Sequence, residues 1–432
     1  MPTDLALHIR ETAVVDTHEH LWSEEAWVKN GSADVLADLF SPYARNDLVS
    51  AGADPEAVVR LGEPEGRDLA TRFQAIEPAW RAMQFTSYGE AVRLTARHLY
   101  GIEELSAAAL RDAQPKLDAF RSPGQRLHLL RHVANLDHVQ VDDLAWACVP
   151  DASGPDFFLY DLRWRNFAAG QLELDRLEPT TGVTVRDLAT LRRAMERLFE
   201  LYGPVAIAVK TQHAYNRTLL WRERTDADAE RALQIILKGG QADTDTLQCL
   251  GDWALARGVE LAVQYNLPVK IHTGYFAGYN RMPLEWIKPA NLCALLAKYP
   301  QARFVLMHTG YPYGEEMIAI TKHYANAWAD LCWAWSINSY ATRGFVRSFL
   351  RAAPANKLFA FGGDTFAPTN SLAYALQMRH HVTRALQEEV DTGDLTERQA
   401  VELATRWLRG NQLACFDVET RRATIAGIRG SA

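Results

Sequence analysis

The sequence predicts an α/β protein, a (β/α)8 TIM barrel with a large helical insertion after strand 1 and C-terminal helices packed on the barrel. Three observations carry this. Eight short runs rich in β-branched and aromatic residues recur along the 432-residue chain. Helical patterns separate most of them. The runs are close to continuously apolar, as expected of parallel strands covered by helices. Eight such units suit a barrel. The rival, an open doubly wound sheet, usually carries a glycine-rich phosphate turn after its first strand, and "VVDTHEHLW" (14–22) has no glycine.

The first run is "TAVVDTH" (12–18), and residues 1–20 are assigned to barrel strand 1. Residues 21–136 are assigned to the insertion. Helical patterns occupy 67–83, 88–100, 103–120 and 123–134, the last with Ser122 as N-cap and Pro123 at the first helical position. A structureless loop of that length would argue against the barrel; a helical segment does not. It leaves strand 1 at the end where barrel active sites sit, so it reads as a lid or substrate-pocket wall, with a role in dimerisation alone as the alternative. Residues 137–432 supply the remainder of the barrel and the C-terminal helices. The remaining runs are "DHVQVDD" (137–143), "DFFLYDLRW" (156–164), "PVAIAVK" (204–210), "LPVKIH" (267–272), "ARFVLMH" (302–308), "AWADLCW" (327–333) and "KLFAFGGD" (357–364). A long helix at about 370–390 follows, then one at 397–409 opened by the capping box Thr396-x-x-Gln399.

Composition narrows the function classes. A formal charge of -7, with no basic stripe, argues against nucleic-acid binding. The scattered cysteines form no CxxC pair, so neither a disulfide framework nor a zinc knuckle is expected. No signal pattern and no run of about 18 apolar residues is present. The expectation is a cytoplasmic protein with a small-molecule substrate and no membrane partner. A homo-oligomer is compatible with the outer helices, but nothing selects one.

The strand ends carry the chemistry. Strand one ends in His18-x-His20, strand four in Lys210, strand five in His272, strand six in His308 and strand eight in Asp364. Histidine pairs at this spacing also arise by chance, so the pair gains weight only from the other strand ends. Alternate strand residues share a face, so His18 and His20 both project into the barrel mouth. Imidazoles with a carboxylate such as Asp364 suit zinc or a similar ion. An ion there lowers the pKa of a coordinated water towards about 7, and a nearby carboxylate can move the proton. Lys270 shares the inward face of His272 one layer deeper. A lone buried ammonium is costly, so it should pair with Asp16 or another inward acid.

In combination, "VVDTHEH", "VKIHTG", "VLMHTG" and "FGGDT" resemble the amidohydrolase superfamily of metal-dependent barrel hydrolases. "LCALLAKYPQARFVLMH" and "WLRGNQLACFD" are similar to its amidohydrolase-related branch. The resemblance implies that His18, His20 and Asp364 hold the more buried metal. It also implies that Asp364 acts as general base or proton shuttle. In two-metal members His272 and His308 would hold the second ion. In one-metal members His272 remains a ligand, while His308 is catalytic, polarising substrate or water. Zn2+ is the expected ion, one or two per chain, with Mn2+ or another divalent ion as the alternative. A carboxylated Lys210 would bridge two ions. A plain ammonium has no lone pair, so Lys210 would otherwise bind an acidic substrate or pair with Asp364.

The substrate is less legible. Trp22, Trp164, Tyr275, Tyr279, Tyr311 and Tyr313 should line the mouth. Arg163, Arg165, Arg217 and Arg281 could hold an anion. "TQHAYNR" adds His213 and Tyr215 beside Arg217. The first reading is hydrolysis of an amide, lactone or similar bond of a small acidic substrate. The alternative is non-oxidative decarboxylation or sugar-acid isomerisation on the same barrel. A non-enzymatic binding module is a third class, against which the complete ligand set argues.

Overall fold

The computed structural model describes residues 3–63, 68–239 and 242–430. Its strands are β1 (Val14–Glu19), β2 (Leu136–Val141), β3 (Phe158–Tyr160), β4 (Leu162–Arg163), β5 (Val209–Thr211), β6 (Val269–His272), β7 (Phe304–Met307), β8 (Ala327–Asp330) and β9 (Leu358–Phe359). Every strand pairing among the described residues is parallel. The strands form one sheet ordered β1-β2-β3 and one ordered β4-β5-β6-β7-β8-β9. Long apolar runs explain the burial of nearly every strand residue: each face is covered.

The run at 156–164 is split by Asp161 alone. The Asp161 amide donates to the Val141 carbonyl (2.8 Å) and the Leu162 amide to that of Ala208 (2.8 Å). One passage of chain thus touches both sheets. At the other edges, Thr17 N–H donates to Phe361 (3.1 Å), Asp364 N–H to His18 (2.8 Å) and His20 N–H to Thr365 (2.8 Å). The eighth run is regular only over Leu358–Phe359: the Ala360 amide turns away to the Trp407 carbonyl (2.9 Å), and the run ends in left-handed backbone at Asp364 (φ 58°).

Between β1 and β2 the chain is mainly helical. The pattern at 67–83 gives Leu69–Met83, residue 67 lying outside the described residues. The pattern at 103–120 divides into Ala107–Asp112 and Gln114–Phe120, with Pro115, which lacks an N–H, in the first turn of the second. Ser122 does not cap the next helix. Gly124, in left-handed backbone (φ 85°), precedes Gln125–His128, while the Ser122 hydroxyl donates back to Asp118 (3.5 Å). Short helices at Glu24–Asn30, Val35–Leu39, Ala44–Ser50 and Pro55–Val59 were not expected.

Buried polar groups fasten this segment to the C-terminal part. Asp38 accepts from Tyr100 Oη (2.7 Å) and Thr369 Oγ1 (3.0 Å). Arg379 donates to the carbonyls of Ile9, Thr12, Ala134 and Asn135, gathering the approaches to β1 and β2 onto helix Pro368–Asp391. The Thr396–Gln399 capping box forms as expected and opens Glu397–Thr405. A last helix, Val418–Gly430, lies beyond the predicted ones.

Candidate metal centre and substrate cavity

His18, His20 and Asp364 come together. Asp364 Oδ1 lies 3.3 Å from His18 Nε2 and 3.4 Å from His20 Nε2. The local sequence explains the approach. A Cβ at Gly363 would fall 2.0 Å from Glu19 Oε1, so only glycine lets the chain pass this close to β1. The backbone bonds from Asp364 to His18 and from His20 to Thr365 then set the carboxylate against both rings.

The ring nitrogens declare their tautomers. A carbonyl only accepts, so a ring nitrogen bonded to one carries the hydrogen. His20 Nδ1 donates to Asp142 (2.7 Å), His308 Nδ1 to Cys332 (2.8 Å) and His272 Nε2 to Tyr275 (2.9 Å). The opposite nitrogens therefore present lone pairs. Two of these, His272 Nδ1 and His308 Nε2, stand only 2.9 Å apart. Burial holds both imidazoles far below their ordinary pKa, His308 at about 3, so no proton is available to lie between them. Burial likewise lowers His20 to about 4. Neither nitrogen of the buried His18 has a hydrogen-bond partner. Lone pairs converging on a carboxylate, with their far nitrogens fixed by carbonyls, are what a divalent cation requires. The donor set fits the ion that the sequence implies.

Asp364 is held up at about 7, chiefly by burial, against the pull of Lys210. His308 Nε2 lies 3.7 Å from its Oδ2. Lys210 is buried nearby, and burial lowers its pKa. Its Nζ donates to Gln212 Oε1 (3.2 Å).

Lys270 faces inward, as expected. Its cation is met by Asp161 (2.8 Å) and the Thr17 carbonyl (2.7 Å), not by Asp16. Asp16 instead accepts the amides of His18 (3.1 Å) and Gly363 (3.3 Å).

A cavity of about 430 Å³ opens above these groups. His20, Lys210, His272 and Asp364 form part of its wall, with Gln212 and Tyr215 beside them. Pro42, Tyr43 and Asn46, from the segment after β1, supply another part, and Arg165 adds a second basic side chain beside Lys210. Tyr215 stacks on Phe276 (4.4 Å, 15°) and its hydroxyl accepts the Ala277 amide (2.9 Å). Tyr275 acts on the site through its carbonyl, while its ring neighbours Trp333 (5.9 Å).

Several expected mouth residues lie elsewhere. Arg217 is buried, its guanidinium taken up by the carbonyls of Ala168 (2.7 Å) and Thr218 (2.9 Å) and by Asp252 (3.2 Å). Arg163 pairs with Asp142 (3.3 Å). Trp22 is 36% exposed and lies against Trp27. Trp164 is a core residue whose indole donates to Ala254 (3.0 Å) and packs over Gly258. His213 is buried against Thr211 (2.9 Å), outside the cavity wall. The sequence reading missed Tyr43 and Asn46, which carry no strand-end signal, and also the orienting carbonyls. Asp142 was visible as an acid at the end of the second run.

The family pattern of the amidohydrolases matches residues 15–401. Over 234 residues, 52% of this chain, the sequence is 27% identical to the protein fluG of Emericella nidulans. The chain spans about a quarter of that protein's length (27%). A glucuronate isomerase from Caulobacter crescentus shares the fold with a TM-score of 0.77 at 15% identity, covering 96% of this chain and 95% of the other. A uronate isomerase from Thermotoga maritima does so with a TM-score of 0.76 at 13% identity, covering 95% and 96%. Such identities speak for the fold alone. The match along nearly all of the sequence gives the conclusion: the chain belongs to the amidohydrolase family.

Proposed function

We propose that this protein is a metal-dependent hydrolase acting on an amide, lactone or similar bond of a small acidic organic molecule. The observation that carries the reading is the gathering of the His20 and His272 lone pairs and the Asp364 carboxylate in the wall of one cavity, with His308 buried directly behind them. His18, His20 and Asp364 would hold the deeper ion, and His272 and His308 a second. Zn2+ suits these donors best, with Mn2+ as the alternative. Such an ion supplies a Lewis acid and a water made acidic near neutral pH. Asp364, buried against the His18 and His20 rings, would take up a proton from the attacking water and pass it to the leaving group. Arg165, joined by Lys210 where that residue stays an ammonium, would give the cavity its affinity for an acidic group. Two ions would call for a carboxylated Lys210 as a ligand; one ion would leave it an ammonium. Tyr43 and Asn46 make the segment between β1 and β2 a pocket wall. We read the two sheets as one barrel closed through the bonds of β1 to residues 361–365. The enzyme is cytoplasmic and its partner is its substrate; no helix among the described residues is long and apolar enough to cross a membrane.

A second reading is sugar-acid isomerisation, favoured by the full-length likeness to the two isomerases. A screen of amides and lactones beside uronic acids separates the two. Hydrolytic turnover supports the first reading, and interconversion of uronic acids without water uptake replaces it. Whichever substrate turns over, Asp364→Asn should lower the rate by about 10²-fold or more. His213→Ala should stay within about tenfold of the parent, since a neighbour of the site acts only through position. Unchanged turnover in Asp364→Asn would sink the assignment of the centre.

A further inference from the structure

A second set of metal-ligand side chains lies outside the cavity, where helix Ser87–Thr95 meets helix Pro368–Asp391. His381 is buried, with its ring parallel to that of Trp335 (6.1 Å between centroids, 6°). Its Nε2 is 2.9 Å from Glu90 Oε2. The amide of Gln377 donates to the same oxygen (2.7 Å) and fixes the carboxylate. His380 is exposed, yet its ring turns edge-on to that of His381 at 4.9 Å. Neighbouring residues on a helix diverge by about 100°, yet the two rings stay close enough for each to offer a nitrogen to one ion. One ligand atom from each of Glu90, His380 and His381 lies within 4.8 Å of the other two. His381 Nδ1 is buried without a hydrogen-bond partner, so the Glu90 contact leaves this imidazole incompletely satisfied.

A hydrogen bond accounts for Glu90 and His381 but leaves His380 without a role. A cation gives all three one. Two imidazoles and a carboxylate suit Zn2+ or a similar first-row ion, and the exposed side leaves room for water as fourth ligand. We propose that Glu90, His380 and His381 form a second divalent-cation site that staples helix Ser87–Thr95 to helix Pro368–Asp391. The staple bears on the cavity wall. The first helix carries Tyr88, whose ring neighbours Tyr43 (6.2 Å) and Trp333 (6.4 Å), and Tyr43 lines the cavity. The inference does not depend on which reaction the cavity performs.

The test is Zn2+ binding to the full chain by equilibrium dialysis with elemental analysis, comparing wild type, His380→Ala and Glu90→Gln. The wild type should retain about one ion per chain more than either variant, and only the wild type should gain thermal stability from that last ion. His380 is exposed, so its variant keeps the fold if Glu90→Gln does not. Equal ion counts in wild type and His380→Ala would overturn the proposal.

Discussion

A histidine whose one nitrogen donates to a carbonyl has its lone pair aimed by the backbone. His20, His272 and His308 are aimed in this way by Asp142, Tyr275 and Cys332, and this orientation makes the cluster a candidate cation site. The meeting of these residues was legible in the sequence, since the period of a strand puts His18 and His20 on one face. The orienting carbonyls were not, because any residue type can supply one. Nor could sequence decide that Arg165 and not Arg217 lines the cavity: both are loop arginines, and only the fold sets Arg217 against Asp252. The raised Asp364 pKa has a consequence for stability. The folded, metal-free chain binds this proton more tightly than the unfolded chain, whose carboxyl sits near 3.8. Stability from this group is full below that value and is lost as pH rises through about 7. Metal-stripped Asp364→Asn escapes the loss. Between about pH 5 and about pH 8 its stability should improve on the parent's by roughly 1–3 kcal/mol in denaturant titrations. The lowered histidines act in the opposite sense but are common to both proteins. Parallel stability profiles would show that Asp364 is not held protonated by its surroundings.

At the scale of elements, the strand runs were legible and their lateral partners were not. Alternation put Lys270 on the inner face of its strand, and burial bears this out. Its partner Asp161 stands between β3 and β4, in a run chosen for its apolar residues. Asp16, Asp161, Lys270 and Asp330 come from the first, third, fifth and seventh runs and are all buried, as in a barrel layer built from alternate strands. A lone cation among three acids is held by its direct pair. Lys270→Met, which strands Asp161, should destabilise the protein by about 3–5 kcal/mol, and the double variant Lys270→Met/Asp161→Asn by clearly less. Chemical denaturation of both decides it; equal losses would mean that packing, not charge pairing, governs the site. The helices between β1 and β2 were legible where a long period ran. They were missed at 24–59, where pieces of five to seven residues are too short to show one.

On the scale of the whole molecule, parallel strands deliver side chains from distant parts of the chain to one cavity, and the segment after β1 closes part of its wall. The sequence announced the first of these through its strand ends. The second rests on Tyr43 and Asn46, which no periodicity singles out. Both serve one claim, that the cavity holds a divalent ion through His18, His20 and Asp364. The direct test is metal content per chain by elemental mass spectrometry, on protein purified without chelator and with bicarbonate present. Wild type should carry at least one ion that His380→Ala keeps and His18→Ala/His20→Ala loses, and a second cavity ion would mark a carboxylated Lys210. Equal metal content in wild type and the His18→Ala/His20→Ala variant would contradict the account.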